Sequence, residues 1–264
     1  MKKNIKISLI TGSLIFLTAA IVYAATTTVP EKNTAPTVSE ASISKSSELL
    51  NILDSNSSNL KTSVKYDELQ DKTLYEIENV KYFIDMDTNN NLVGIYSKSL
   101  STAQETSTLN NDQAKEYILN KYNELNLPKE YELNYVEKYD DLIWQANFEK
   151  NYDGIYNKYE SVKVFFIPDT DEIVALTVFN EPAKSSEISV SEEEATLTAA
   201  EKLDLSTDEI VSAELTMEKS NTFYDESNSN SSIHSTWVIT ASDNSIIYID
   251  AETNEVIGGD SINE

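Results

Sequence analysis

Three stretches of the chain spell nearly the same β-hairpin: YFIDMDTNNNLV from Tyr82, FFIPDTDEIVAL from Phe165 and IYIDAETNEVIG from Ile247. Thr88, Thr170 and Thr253 hold equivalent places in them, 82 and 83 residues apart. Two nearly equal intervals predict a tandem array, in which one supersecondary unit recurs and each copy buries one face of its own sheet.

The middle copy is the easiest to read. Asn110 and Gln113 form a capping-box start, and Ala114, Tyr117, Ile118, Tyr122 and Leu125 recur at helical spacing up to Pro128. Tyr131, Leu133 and Tyr135 then alternate with polar partners, Asp140-Asp141 makes a turn, and a second strand carries Leu142, Trp144, Ala146 and Phe148 on one face. A loop over Asn151 to Lys158 separates these from a third strand at about Ser161 to Ile167, and the Pro168–Asp171 turn leads into a fourth from Ile173 to Phe179.

The last copy repeats this order. Ser191 and Glu194 form the capping box, Ala195, Ala199 and Leu203 mark a buried stripe, and four strands follow from Val211 to Ile257, with a long polar loop at Lys219 to Ser232. The first copy departs from the pattern. Its helix, over Ser44 to Leu53, begins only 44 residues before Thr88, whereas Asn110 and Ser191 precede their threonines by 60 and 62, so this unit reads as truncated. The expected fold class is α+β: tandem units of one helix on a four-stranded antiparallel sheet, the first degenerate. The units run over 46–100, 105–182 and 189–264.

Residues 1–24 read as a secretory signal peptide: Lys2, Lys3 and Lys6 precede an apolar run to Val22, and Val22-Tyr23-Ala24 places cleavage after Ala24. Left uncleaved, the run is an N-terminal membrane anchor, and in either case the remainder faces outward. A polar linker over 25–45 follows. No cysteine occurs, which removes disulfides, thiolate metal sites and cysteine nucleophiles, so the fold holds by packing alone.

The formal net charge is −25, from 20 basic and 45 acidic residues, and every basic residue is Lys. Such a balance opposes nucleic acid and anionic lipid, which are bound by neutralising phosphates. Basic proteins, cationic peptides and cations remain as partners, beside plain surface solvation.

The hairpin Ile247 to Gly258, preceded by SEEEATLTAAEKL, resembles a PepSY domain, with Asn254 standing where that family usually has Gly. The middle unit, WQANFEKNYDGI before VKVFFIPDTDEIVAL, is similar to the YcdB/YcdC repeat, a PepSY relative, although Asp153-Gly154-Ile155 matches its Asn-Gly-Ile segment only in part. The helix-then-four-strands order is also similar to cystatin and β-lactamase-inhibitory-protein domains. These resemblances imply a secreted or cell-surface module without catalytic residues, one that inhibits, chaperones or regulates a peptidase outside the cytoplasm.

No set of catalytic, cofactor-binding or metal-ligating residues stands out. His234 is the only histidine; its neighbours Ile233 and Trp237 point the other way, which places it on the solvent face, and one histidine without cysteine offers neither a zinc site nor a His-based triad. Asp85, Asp87, Asn89 and Asn91 mimic the start of a calcium loop, but Asn90 and Tyr96 occupy the places that need Gly and Glu, so an Asp/Asn-rich turn explains them. The 45 acidic residues neither support nor exclude a carboxylate pair for hydrolysis. Tyr152, Tyr156 and Tyr159, clustered around Asp153-Gly154, form the candidate partner-contact set, because tyrosine supplies large contact area with few rotatable bonds; the alternative is that they cover the end of the sheet. The leading functional expectation is a secreted, non-enzymatic protein-binding module, and the alternative is a structural envelope or matrix protein whose acidic surface collects cations.

Overall fold

The computed structural model describes residues 37–54, 57–67, 72–99, 106–220 and 232–260. The leader, the cleavage position after Ala24, linker residues 25–36 and most of the loop after Lys219 lie outside the described residues. The rest is a mixed α+β protein with three α-helices and antiparallel sheet. The described residues up to Ser99 and those from 106 onward form two compact units.

In the N-terminal unit, helix α1 (Glu40–Asp54) is followed by β1 (Lys61–Asp67), β2 (Lys72–Glu78), β3 (Tyr82–Asp87) and β4 (Leu92–Ser97), each antiparallel to the next. The helix is therefore not truncated: it starts at Glu40, inside the stretch expected to be linker, and at 15 residues is the longest of the three. Its buried stripe is Ser42, Ser46, Leu49, Leu50 and Leu53, at helical spacing. Two of those five are serines, which hid the first turns from a hydrophobicity pattern.

The C-terminal unit holds α2 (Asn111–Glu124) with β5 (Tyr131–Lys138), β6 (Trp144–Tyr152), β7 (Ile155–Ile167) and β8 (Glu172–Asn180). After it come α3 (Glu192–Leu203), β9 (Ile210–Lys219), β10 (Ile233–Ala241), β11 (Ile246–Asp250) and β12 (Val256–Asp260). Both four-strand groups again pair antiparallel in chain order. Both expected capping boxes form: Asn110 and Gln113 exchange bonds of 3.0 Å, and Ser191 and Glu194 do the same at 3.3 and 2.9 Å. Replacing Asn110 by alanine strips an orphan amide of its acceptor, and is expected to cost about 1 kcal/mol by chemical denaturation.

The loop expected over Asn151 to Lys158 is a hairpin instead. β6 and β7 continue to Tyr152 and from Ile155, and Asp153 (φ 52°) and Gly154 (φ 100°) make the two-residue turn between them. Two positive φ values in succession match the twist of the flanking strands, and Asp-Gly supplies them at low cost. Polar residues on both sides of that pair masked the alternation.

The recurring hairpin turns have a structural task. In each, a non-glycine residue sits in the left-handed region: Asn90 (φ 67°), Asp171 (φ 54°) and Asn254 (φ 61°). Their amides bond back to carbonyls of Asp87, Pro168 and Asp250. Each turn is also tied to its helix or the segment entering it. Asn90 Oδ1 accepts Ser42 Oγ at 2.7 Å and also Ser39 Oγ. Asp169 accepts Ser107 Oγ at 2.5 Å and Thr108 Oγ1 at 2.7 Å, while Asp171 accepts Tyr117 Oη and Lys121 Nζ, both at 2.9 Å. The amides of Ser189 and Val190 donate to Ala251 O, each at 2.9 Å. The two tryptophans reinforce this: Trp144 Nε1 donates to Ser107 Oγ at 3.0 Å, and Trp237 Nε1 to Val190 O at 2.9 Å.

Beneath each helix lies an apolar core. Ile77, Ile84 and Ile95 align across β2, β3 and β4, all fully buried. Phe148 and Phe166 stack on Tyr122 and Tyr117 of α2, with ring centroids 3.8 and 5.5 Å apart. Under α3 the cluster is Val190, Ala195, Ala199, Ile239, Ile247 and Ile249.

Candidate functional site

Side chains on a strand alternate, so the residues between these core positions lie on the other face of each sheet. Those faces are polar, and each holds carboxylates removed from water.

In the N-terminal unit, Asp85 stands between Glu76 and Gly94 in register and is 3% exposed. Lys65 bridges Asp85 at 2.8 Å and Glu76 at 3.0 Å, but Asp85 Oδ1 has no hydrogen-bond partner. Burial pushes the Asp85 carboxyl up to about 6, and the Lys65 ammonium offsets this only in part. Asp87, the second acidic residue of the calcium-like stretch, uses Oδ1 to accept the amides of Asn89 and Asn91 and Oδ2 to accept Asn91 Nδ2. That is an Asx turn closing the hairpin. Among the described residues no three His, Cys, Asp or Glu side chains converge as a metal site would require.

In the C-terminal unit, Gln145, Asn147 and Glu149 line the polar face of β6, opposite Phe165, Lys163 and Ser161 of β7. All three β6 residues are buried. Glu149 accepts Asn134 Nδ2 at 3.2 Å and also Asn147 Nδ2, while Gln145 Nε2 donates to Tyr135 Oη at 2.5 Å. Burial raises the Glu149 carboxyl and lowers the Lys163 ammonium, the direction expected when each charge loses water.

The sheet under α3 has its own network. Glu218 pairs across the ladder with His234, bonds Lys158 Nζ and accepts Tyr159 Oη at 3.1 Å. His234 is not on an open solvent face; its side chain is only 14% exposed. β11 ends opposite Thr236, and the segment around Ser185 takes its place beside His234. His234 Nδ1 lies 3.0 Å from Asp250 Oδ2, and Nε2 lies 2.6 Å from Ser232 Oγ. A single histidine thus suffices for a Ser-His-Asp hydrogen-bond chain, contrary to the sequence expectation. Asp250 Oδ1 accepts the amides of Glu252 and Thr253 at 2.8 and 3.0 Å, so the chain of bonds joins the start of β10 to the recurring hairpin turn.

The four candidate contact residues occupy the β6–β7 hairpin. Tyr152 and Tyr159 pack against a small cluster of Ile155, Met217 and Ile233, which joins this hairpin to β9 and β10. Their hydroxyls are engaged, Tyr152 with Glu160 and Tyr159 with Glu218. Asp153 is exposed at the tip, and Tyr156 is half-buried opposite Asn151. Glu218, Asp250 and Ser232 escaped sequence reasoning, because nothing in a strand's alternation says which side chains of distant strands will meet. Asp250 alone carried a signal, since it precedes Thr253 by the same three residues that separate Asp85 from Thr88.

No family profile matches the chain, and no curated protein matches it in sequence. Solved structures do resemble it. The C-terminal domain of YpeB from Bacillus megaterium superposes with a TM-score of 0.50 at 12% identity, over 87% of this chain and 100% of that one. An uncharacterized protein from Eubacterium rectale gives 0.45 at 13% identity, over 81% of this chain and 80% of that one. At such identity the likeness to the YpeB domain is one of fold alone. Among the described residues no helix is long and apolar enough to cross a membrane.

Proposed function

We propose that the chain is a secreted, non-enzymatic protein-binding module of PepSY type, built from three successive copies of one helix-plus-four-strand unit, and that it regulates or inhibits a peptidase outside the cytoplasm. One observation carries the reading: each four-strand group lays its own helix on one face and keeps a polar face with buried carboxylates on the other. A face that served solubility alone would leave its charges in water, because burying them costs free energy unless they are paired. Held in fixed geometry, such groups give specificity toward a polar partner. The fold shared with the YpeB C-terminal domain supports the PepSY assignment, as do the recurring turns. The apolar leader read from residues 1–24 supports export.

On this reading the Ser232–His234–Asp250 chain is a fastening and carries out no acyl transfer. Fluorophosphonate treatment of the purified protein is expected to leave Ser232 unmodified by intact-mass analysis; labelling that disappears in His234→Ala would make the protein a hydrolase. The regulatory role is tested by adding the exported protein to peptidases from its own cell surface. Unchanged turnover, with no peptidase co-purifying, would end that version.

A specific observation keeps the envelope or matrix reading in play. Residues 189–264 carry 17 acidic side chains against two lysines. Salt-sensitive binding to cell-wall material, with no discrete protein partner, would favour that reading.

A further inference from the structure

We propose that the edge of β5, with the groove between it and α2, takes up an extended peptide segment of another protein in which lysines alternate with apolar residues. The proposal rests on the protein-binding reading above and names where and what that module would bind.

β5 is the last strand of its sheet, so one side of its backbone pairs with β6 and the other side has no strand beside it among the described residues. An added strand can satisfy those N–H and C=O groups, and side-chain pockets along the edge then choose which strand is accepted. Such a pocket is present. A groove of about 440 Å³ runs between α2 and β5, floored by Phe148, Tyr122 and Tyr131 and walled by Leu119 and Leu133. The floor residues are 1%, 6% and 7% exposed, whereas Leu119 is 36% exposed. Both tyrosine hydroxyls are engaged, Tyr122 Oη donating to Pro128 O at 2.6 Å and Tyr131 Oη to Phe179 O at 3.4 Å, so the floor offers ring carbon and leucine, while Asn123, Lys129 and Glu132 complete the lining with polar groups.

The register of β5 sets the chemistry of the guest. Leu133 pairs with Phe148 and Val136 with Ala146, on the helix face, whereas Glu132 pairs with Glu149 and Glu137 with Gln145, on the polar face. The irregularity between Leu133 and Tyr135 keeps both glutamates on that one face, although they are five residues apart. Glu132 and Glu137 are exposed; Glu132 accepts Asn151 Nδ2 at 3.0 Å, and the Glu137 carboxylate acts on the Lys163 ammonium through space. A guest strand therefore meets apolar ground on one side and two carboxylates on the other. Lysines four residues apart, with apolar residues between them on the opposite face, satisfy both. The same glutamates disfavour a second copy of this chain, because edge-to-edge pairing would bring like charges together.

A fluorescent peptide TKLTVKT titrated into the whole chain at low salt tests this. Saturable binding is expected, weakening as salt rises, with amide shifts confined to α2 and β5. Backbone N-methylation at alternate residues of the peptide should abolish it. Reversing the charges of the peptide, to TELTVET, should weaken binding at least tenfold, and the double variant Glu132→Lys, Glu137→Lys should recover affinity for that reversed peptide while losing it for the original. Because both positions are exposed, folding of the variant is checked by an unchanged amide spectrum elsewhere. No saturable binding, binding indifferent to N-methylation, or self-association through β5 would each overturn the proposal. A peptidase bound at another surface while the peptide fails would sink this inference and leave the wider reading standing.

Discussion

Replacing Asp85 by asparagine is expected to stabilise the N-terminal unit at pH 7.5 by up to about 3 kcal/mol, and to change little at pH 4. The carboxyl is raised from 3.8 to about 6 by burial, and Lys65 at 2.8 Å does not restore the balance. A folded-state value above the unfolded one means that the folded protein binds the proton more tightly. Stability from this group therefore rises as pH falls through about 6, levels off below 3.8, and is wholly forfeited above 6. A rise from 3.8 to about 6 corresponds to about 3 kcal/mol between the two protonation states. Asparagine resembles the neutral acid in shape and removes the penalty at high pH, while Lys65 retains Glu76 at 3.0 Å. Glu160, also buried, does not share this behaviour: burial pushes its carboxyl up, but bonds from Tyr152, Lys150 and Asn157 hold it below its ordinary value. Hydrogen exchange of the β2 and β3 amides, compared between the two proteins across pH 4 to 8, isolates the effect. A variant less stable than its parent at pH 7.5 would mean that the Lys65–Asp85 pair contributes more than its burial costs.

The elements whose periodicity was strong in sequence were legible. The capping boxes at Asn110 and Ser191 mark real helix starts, and each of the three hairpins holds one left-handed Asn or Asp, two places after Thr88 but one place after Thr170 and Thr253. Where the expectations departed, a local pattern had been diluted. Serines at 42 and 46 stand where a leucine would have announced the first turns of α1. Asn151, Asn157 and Lys158 made the end of the β6–β7 hairpin look like loop, although Asp153-Gly154 is a strong hairpin signal. The buried carboxylates of the polar faces had no counterpart in the sequence reading. Their charge pairs join residues as far apart as Lys158 and Glu218, and such meetings follow from tertiary packing, which a strand's own alternation does not encode.

Phe148→Ala should be the most damaging single truncation in the middle helix-strand group. Phe148 is 1% exposed and stacks on Tyr122 with centroids 3.8 Å apart, so its loss removes both the buried ring and the floor on which α2 rests. Truncations of this kind cost roughly 3–5 kcal/mol, a large share of the stability of a domain. How the damage spreads tests the proposed repetition. The core under α3 is a separate cluster, and its links to the preceding strands are the smaller group of Ile155, Met217 and Ile233 together with the bonds of Lys158 and Tyr159 to Glu218 and of Lys219 to Glu181. If each helix and its four strands fold as one module, hydrogen exchange should accelerate throughout 106–180 and remain near its parental rates over 190–220 and 232–260. Equal acceleration across both stretches would mean that they unfold as one cooperative body. The similar hairpins would then be local turns within a single core, and the reading of the chain as successive copies of one unit would be lost.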